Sequence, residues 1–147
     1  MSNKTIKFEI VTPERVVLSQ DILQISVPTT SGEITVLPDH IPLVSVLKPG
    51  VIEIKLADNT SEIMSTSGGF IEVMKDKVVI LADTAERAEE LDEERIKAAQ
   101  ARAENLKEEA RNVDDVQFAA VAAKLEKELA RLRAVNRWRR LKGIDNK

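Results

Sequence analysis

Residues 77–100 read KVVILADTAERAEELDEERIKAAQ, and the chain changes character within this stretch. Up to residue 81, apolar side chains recur in short runs with a period of two, as in strands with one buried face. From Ala85 onward the composition shifts to Ala, Glu, Arg, Lys and Leu, which are strong helix formers. The sequence therefore predicts two domains of different structure, at residues 1–84 and 85–147.

The N-terminal domain consists of short apolar runs separated by turn residues. Ile6, Phe8 and Ile10 alternate with charged residues. The same kind of run recurs at residues 22–27, 34–37, 43–47, 51–56, 62–65, 70–74 and 77–81. All five prolines and every glycine except Gly143 lie in this half. Because the connections are too short for crossover helices, we predict an antiparallel sheet folded as a sandwich or a barrel.

The C-terminal domain has no proline, and its first glycine is Gly143. Spacings of three and four place one set of residues on a single face of a first helix: Leu91, Arg95, Ala98, Arg102 and Leu106. After a polar break at residues 112–115, Asp114 or Asp115 can cap a second helix. That helix carries its own stripe: Phe118, Ala122, Leu125, Leu129 and Leu132. Two amphipathic helices joined by a short break predict an antiparallel hairpin.

The apolar faces of this hairpin are thin because alanine is abundant on both helices. Burial contributes roughly 25 cal/mol per Å² of apolar surface, so alanine contacts stabilise little. Isolated helices are marginal in water. We therefore expect the hairpin to need a second surface, which is the sandwich, a partner or a ligand, and we expect it to move.

The composition excludes several classes of function. The chain has no cysteine and one histidine, His40, which rules out thiolate nucleophiles, disulfides and Cys- or His-rich metal sites. A net charge of −3 gives no reason to expect nucleic acid as a partner. The apolar stretches are far shorter than the roughly 20 residues of a membrane-spanning helix, and no leader pattern precedes the first strand. We expect a chain without a catalytic site, a metal or a direct membrane insertion.

Gly68 and Gly69 do not form a phosphate-binding loop. They lack the further glycine, lysine and Ser/Thr of the P-loop, and no dinucleotide-binding glycine pattern surrounds them. We interpret them as a tight turn or bulge between strands. A catalytic ATPase would need such a loop.

Segments of the chain resemble the ATP synthase epsilon family in the right order. They are FEIVTPE at residues 8–14, SGEITVLPDHIPLVSVLKPG at 31–50, SGGFIEV at 67–73 and VVILADTAERAEELD at 78–92. One departure is Thr-Val-Leu at residues 35–37, where the family has Gly-Ile-Leu or Gly-Ile-Tyr before the proline. A β-branched pair continues a strand well, so we interpret this change as tolerated.

The resemblance implies an α+β fold in which an antiparallel β-sandwich is followed by an antiparallel α-helical hairpin. It implies a non-catalytic subunit in the central stalk of an ATP synthase, peripheral on the cytoplasmic face of the cell membrane, where a proton or sodium gradient drives rotation. In this family the sandwich contacts the gamma subunit and the c-ring. The hairpin can extend toward the alpha/beta catalytic head and inhibit ATP hydrolysis. No cofactor is required, and ATP is an expected regulatory ligand.

Leu91, Asp92 and Arg95 resemble the Ile/Leu-Asp-x-x-Arg-Ala motif of those family members that bind ATP on the hairpin, with Ile96 in place of the alanine. The alternative is that Asp92 and its neighbouring acids only favour a helix start. The site implied by the resemblance also includes Glu86, Arg102 and two arginines of the second helix. An Arg-Ala-x-Asn-Arg match selects Arg133 and Arg137, whereas ungapped counting from Phe118 selects Lys127 and Arg131.

The remaining candidates concern partner contacts. Glu33 lies in the loop that faces the c-ring in this family, or is a solvated turn acid. His40 is a stalk contact or a turn histidine bonded to nearby backbone. The second helix ends in a basic segment without an intervening acid: Arg131, Arg133, Arg137, Arg139, Arg140 and Lys142. The family implies that this segment, Arg139 and Arg140 included, meets acidic residues of the catalytic head. Trp138 either caps the apolar stripe or anchors in a partner.

Overall fold

The computed structural model describes residues 4–144. The outermost residues of the two predicted domains, 1–3 and 145–147, lie outside this range. Strands come first along the chain, as β1 (Ile6–Val11), β2 (Val16–Thr29), β3 (Gly32–Val36), β4 (Leu43–Leu47), β5 (Gly50–Leu56), β6 (Ser61–Thr66), β7 (Gly69–Val73), β8 (Lys77–Ala82) and β9 (Ala85–Arg87). A 3-10 turn (Ala88–Glu90) leads to the helices α1 (Glu93–Ala110) and α2 (Asp115–Lys142).

The strands form two layers that share the long strand β2. One layer has the order β1-β8-β7-β4, and the other runs from β2 through β5 and β6 to β9, with β3 paired to β2. The pairings are antiparallel except that β1 and β8 run parallel, with Phe8 opposite Val78. The predicted antiparallel sandwich is confirmed. The parallel pair needs no crossover helix because the rest of the sandwich connects its strands.

The core lies between these layers and follows the predicted period of two. Ile6, Phe8 and Ile10 are buried on β1. They pack in one cluster with side chains of both layers, among them Ile52 of β5 and Ile71 of β7. The alternation in the sequence therefore decides which face of each strand points inward.

Gly69 is required by the close approach of two strands. Its φ is +137°, and a Cβ placed on it would lie 2.1 Å from the carbonyl oxygen of Leu81. Gly68 precedes it with a φ of +126°, and its carbonyl accepts a hydrogen bond from the Asp83 N–H at 3.0 Å. The pair lies where β6 is joined to β7, with Gly69 as the first residue of β7, so the interpretation as a feature between strands agrees with the structure.

The predicted boundary after residue 84 needs a correction. Residues 85–87 form β9, which pairs with β6, and Arg87 binds Glu62 of β6 at 2.7 Å. Helix α1 begins only at Glu93, after Asp92 caps its first turn. Helix-forming composition was misleading here because Ala85 and Ala88 are buried in the interior, and that burial outweighs local propensity.

The predicted start of the second helix agrees with the structure, whereas Leu91, predicted on the face of the first helix, precedes α1. Asp114 accepts a hydrogen bond from the Gln117 N–H, so it is the cap of α2. The hairpin is antiparallel, and α2 also packs on β5 and β6. The predicted stripe of α2 is only partly right, because Phe118 is 50% exposed while Val121, Ala130 and Ala134 are buried. A helix that contacts both α1 and the sheet buries a wider face than one stripe describes. None of the helices in residues 4–144 has the length and hydropathy for crossing a bilayer.

Candidate functional site

A cavity of about 290 Å³ lies among α1, α2 and β9. Its apolar wall is formed by Leu91, Ile96, Leu132 and Val135. Its polar wall is formed by Glu86, Arg95, Arg102 and Arg131. Spacing explains this arrangement, because Arg95 and Arg102 are two helical turns apart on α1 and face α2 together. The cavity thus combines an apolar surface with a cluster of arginines.

Glu128 of α2 is the buried centre of the charge network beside this cavity. It is 7% exposed. Arg102 donates to its two carboxylate oxygens at 3.0 and 3.3 Å, and Arg131 donates to them at 2.9 and 3.1 Å. Arg131 also donates to Glu86 at 2.6 and 2.8 Å. One network therefore connects both helices to the last strand of the sandwich.

The pKa shifts agree with this geometry. Burial acts to raise the pKa of Glu128, but hydrogen bonds and charge from Arg102 and Arg131 outweigh it and hold the pKa below its usual value. Hydrogen bonds to Glu86 raise the pKa of Arg131. The carboxylate of Glu128 is therefore ionised at neutral pH, and its charge is matched by the arginines around it.

Arg95 and Asp92 occupy different positions relative to the cavity. Among residues 4–144, Arg95 forms no ion pair, and its side chain is exposed at the cavity wall. Asp92 does not line the cavity, and its carboxylate accepts the Arg95 backbone N–H at 2.8 Å. Two arginines against the two glutamates of the network, with Arg95 in addition, leave the site with an excess of positive charge that suits an anion.

The structure separates the two assignments for the arginines of α2. Arg131 lines the cavity, whereas Arg133 and Arg137 lie on other sides of α2. Arg133 binds Glu126 at 3.3 Å, and Arg137 binds Glu53 of β5 at 2.9 Å. In this conformation the lining of the cavity includes Arg131 but neither Arg133 nor Arg137. The one-turn spacing of the Arg-Ala-x-Asn-Arg match places both arginines on one side of α2, and the packing of α2 on β5 and β6 turns that side away from the cavity.

The residues assigned to partner contacts lie on the surface or near it. His40 is the turn histidine of the simpler interpretation, with Nδ1 2.6 Å from the Ile41 carbonyl oxygen. Glu33 is part of β3 rather than a loop, and shares a shallow depression with Arg137 and Arg140. Arg139 contacts Glu93 of α1 at 3.6 Å. Much of the basic segment therefore has carboxylate partners within this chain, a result that its local sequence does not predict.

Trp138 belongs to the seat that holds the hairpin on the sandwich. We call the hairpin seat the cluster of Ile63, Ala88 and Ala134 with Val51 and Trp138 packed against it. Trp138 therefore packs within this chain, against residues outside the predicted stripe of α2. The seat is small and largely alanine-sized, so it contributes limited burial.

The opposite side of the sandwich has an exposed apolar face. We call the outer face the surface formed by Val44 and Val46 of β4, Phe70 of β7 and Leu81 of β8, whose exposed fractions range from 45% to 68%. Val46 is directly opposite Phe70, and Phe70 is opposite Leu81. Contiguous exposed apolar side chains of this kind mark contact surfaces.

Comparison with known proteins identifies the family. Residues 5–88 match the model of the ATP synthase Delta/Epsilon chain beta-sandwich domain. The ATP synthase epsilon chain of Chloroflexus aggregans is 48% identical over 129 residues, which are 87% of this chain and 90% of that one. The chain belongs to the ATP synthase epsilon family. The family member of Bacillus velezensis is 44% identical over 91% of this chain and 95% of its own length.

Solved structures of two further relatives share the fold of this family. The mitochondrial ATP synthase of Euglena gracilis, solved as OSCP/F1/c-ring, contains a chain with a TM-score of 0.75 and 24% identity, over 86% of this chain and 79% of that one. The central stalk/c-ring structure from Tetrahymena thermophila has a TM-score of 0.62 and 15% identity over 92% and 99%. The resemblance noted in the sequence is thus confirmed for family and fold.

Sequence reasoning missed Glu128. The one local indication of its role is that Glu128 lies three residues before Arg131, a spacing that places the two side chains on the same helix face. Its other partner, Arg102, is 26 residues away.

Among residues 4–144, there is no group of three or more His, Cys, Asp or Glu side chains that could hold a metal ion.

Proposed function

We propose that this chain is a non-catalytic subunit in the central stalk of a proton-translocating ATP synthase, on the cytoplasmic face of the cell membrane. Its sandwich attaches to the rotor and helps couple rotation to ATP synthesis, and its hairpin restrains ATP hydrolysis. The observation that supports the proposal is that the chain has two separate contact surfaces of different character. The outer face offers a broad apolar contact, while the hairpin rests on the opposite side over a small seat.

The outer face is the proposed contact of the gamma subunit, and an end of the sandwich reaches the c-ring. A relative in a structure described as central stalk/c-ring has the same fold as this chain, and this family membership suggests the partners. Phe70 is 54% exposed at the middle of the outer face, where a charge would oppose desolvation on binding.

Phe70→Glu tests this contact through co-purification with the gamma subunit. The variant is expected to lose gamma while it remains folded, because Phe70 points away from the core. Val116→Glu is the matched control, since Val116 is also an exposed apolar residue but lies on the hairpin. Equal recovery of gamma by the two variants would refute this assignment.

The hairpin is the proposed regulatory element. On opening, α2 would lose its contacts with β5 and β6, and Arg131 and Arg137 would lose Glu86 and Glu53. These arginines would then be free to bind acidic residues of the alpha/beta catalytic head. The exchange of internal for external carboxylates keeps the energetic difference between the two states small, as a switch requires.

Truncation after Asn112 removes α2 and tests inhibition in the assembled enzyme. We expect faster ATP hydrolysis with unchanged assembly, because the outer face is retained. Replacement of Arg133, Arg137, Arg139 and Arg140 by Ala is expected to act in the same direction. Unchanged hydrolysis rates in both variants, with other inhibitors absent, would contradict the regulatory role.

The cavity supports a second part of the proposal, in which ATP binds the docked hairpin and stabilises it. Arg95, Arg102 and Arg131 face the same space from two helices, and the apolar wall suits a base or ribose. Ile96 leaves less space beside that wall than the alanine of the family motif would. Because only the docked form assembles these residues, ATP would shift the population toward it.

Calorimetric titration of the full chain with MgATP tests this part. Binding at millimolar concentrations or below is expected, and Arg95→Ala combined with Arg102→Ala should abolish it. The matched control is Arg111→Ala, an exposed arginine at the C-terminal end of α1 that lies away from the cavity. Absence of heat and of a thermal shift would refute ATP sensing without affecting the stalk assignment.

A further inference from the structure

Glu128 binds two of the arginines that an anionic ligand in the cavity would use. We propose that Glu128 is an internal competitor for the phosphate groups of ATP and sets the concentration at which the hairpin responds. This inference rests on the proposed nucleotide site and deepens it. No motif of the sequence contains this residue, and only the folded hairpin brings it to the cavity.

The contacts show what the carboxylate occupies. Arg102 directs its Nε and Nη2 donors at Glu128, and Arg131 directs Nη1 at it. The Nε and Nη2 donors of Arg131 bind Glu86. Carboxylates and phosphates bind the planar guanidinium with the same paired geometry. A phosphate that takes the paired Nε and Nη2 edge of Arg102, or the donors of Arg131 named above, must therefore displace a carboxylate, whereas Arg95 is open to it.

The burial of Glu128 gives the competition its strength. With 7% exposure the carboxylate has little access to water and depends on its two arginines. It is also attached to α2, so its effective concentration at the site exceeds that of a free ligand. The charges of Arg102 and Arg131 are thereby matched by carboxylates in the absence of ATP, and ATP must displace part of an existing network.

Removal of this carboxylate changes the balance of charge. Three arginines, Arg95, Arg102 and Arg131, would then face Glu86 as the remaining acid of the network. Glu128→Gln keeps the shape of the side chain, but it removes the charge and replaces one acceptor oxygen with an N–H donor. The variant is expected to bind MgATP tenfold tighter or more, while the empty hairpin becomes less stable.

The test compares three full-length proteins by calorimetry and thermal shift with MgATP. They are the natural chain, Glu128→Gln and the matched control Glu126→Gln, whose carboxylate binds Arg133 on an exposed side of α2. Glu128→Asp is included in case Glu128→Gln fails to fold, because a shorter carboxylate cannot reach both arginines equally. Circular dichroism verifies folding. Inorganic triphosphate serves as a second probe, which separates the phosphate contribution from that of the nucleoside.

The outcomes distinguish this inference from the proposed ATP function. Tighter binding by Glu128→Gln or Glu128→Asp, with no change in Glu126→Gln, supports the competitor. Binding by the Glu128 variants but not by the natural chain also supports it, because Glu128 would then prevent ATP from binding. Equal or weaker binding by the Glu128 variants, while the natural chain binds, overturns the competitor and leaves ATP sensing intact. No binding by any of the proteins overturns both.

Discussion

Removal of Arg131 should release the hairpin from the sandwich. Arg131→Met keeps an apolar stem of similar length but cuts the connection between α2 and Glu86 of β9. Glu128 retains Arg102, so the main loss is the pair with Glu86, in which the side chains are 18% and 33% exposed. A buried hydrogen bond to a charged group contributes ~1.5–3 kcal/mol, and an exposed ion pair contributes ~0–1 kcal/mol.

For this partly buried pair we expect a loss of about 1.5 kcal/mol, between the values for buried and exposed pairs. A difference of about 1.4 kcal/mol corresponds to a tenfold change in an equilibrium. The ratio of docked to open hairpin should therefore fall about tenfold in Arg131→Met. The open form exposes the hairpin seat, including Trp138.

Trp138 provides an assay without labels, because it is the single tryptophan and the chain has no tyrosine. Opening should shift its emission to the red and increase quenching by acrylamide. Arg133→Met is the control, since Arg133 binds Glu126 on its own helix and contributes nothing to docking. Identical quenching in Arg131→Met and the natural chain, or equal increases in Arg131→Met and Arg133→Met, would refute the reasoning.

Three further predictions concern stability. Gly69→Ala should destabilise the sandwich by about 3 kcal/mol in urea unfolding, because the new Cβ would lie 2.1 Å from the Leu81 oxygen at a φ that alanine avoids; an unchanged midpoint would contradict the strand packing. A fragment of residues 1–91 should unfold cooperatively by circular dichroism, because the main core lies before α1; a random-coil spectrum would contradict the division. The pKa of Glu128 is lower in the folded chain than in the unfolded one, so its charge stabilises the fold above the unfolded pKa of about 4.3, and this contribution is lost as the pH falls through the folded pKa. The increase in Trp138 quenching on acidification should therefore be smaller in Glu128→Gln than in the natural chain. Equal increases in the two proteins would argue against this role of Glu128.

Most of the sandwich could be predicted from the sequence because strand burial is a local property. Ile6, Phe8 and Ile10 show their period in six residues, and turn residues mark the strand ends. The pairing of β1 with β8 was not predictable, since it joins segments about seventy residues apart in parallel. Strand β9 was missed because Ala-Glu-Arg favours a helix wherever tertiary contacts do not decide otherwise.

The candidate site could be predicted on α1 but only partly on α2. Arg95 and Arg102 follow from helical spacing, because α1 is an ordinary amphipathic helix. On α2, arginines occur on several faces, and the rotation of the helix is set by its contact with β5 and β6. The position of Glu128 beside Arg102 depends on the same rotation, so it could not be predicted from the sequence either. Its role emerges only from the distances to Arg102 and Arg131.

The central claim is that a mobile hairpin controls ATP hydrolysis, and a reversible lock tests it most directly. The chain has no cysteine, and Ala88 and Ala134 belong to the same buried cluster, the hairpin seat, where α2 contacts the 3-10 turn. Ala88→Cys combined with Ala134→Cys is therefore expected to form a disulfide that keeps the hairpin docked. In the assembled enzyme, hydrolysis should be fast when the disulfide is oxidised and should fall when the same sample is reduced. Equal rates in the two states, with complete cross-linking shown on a gel, would contradict the account.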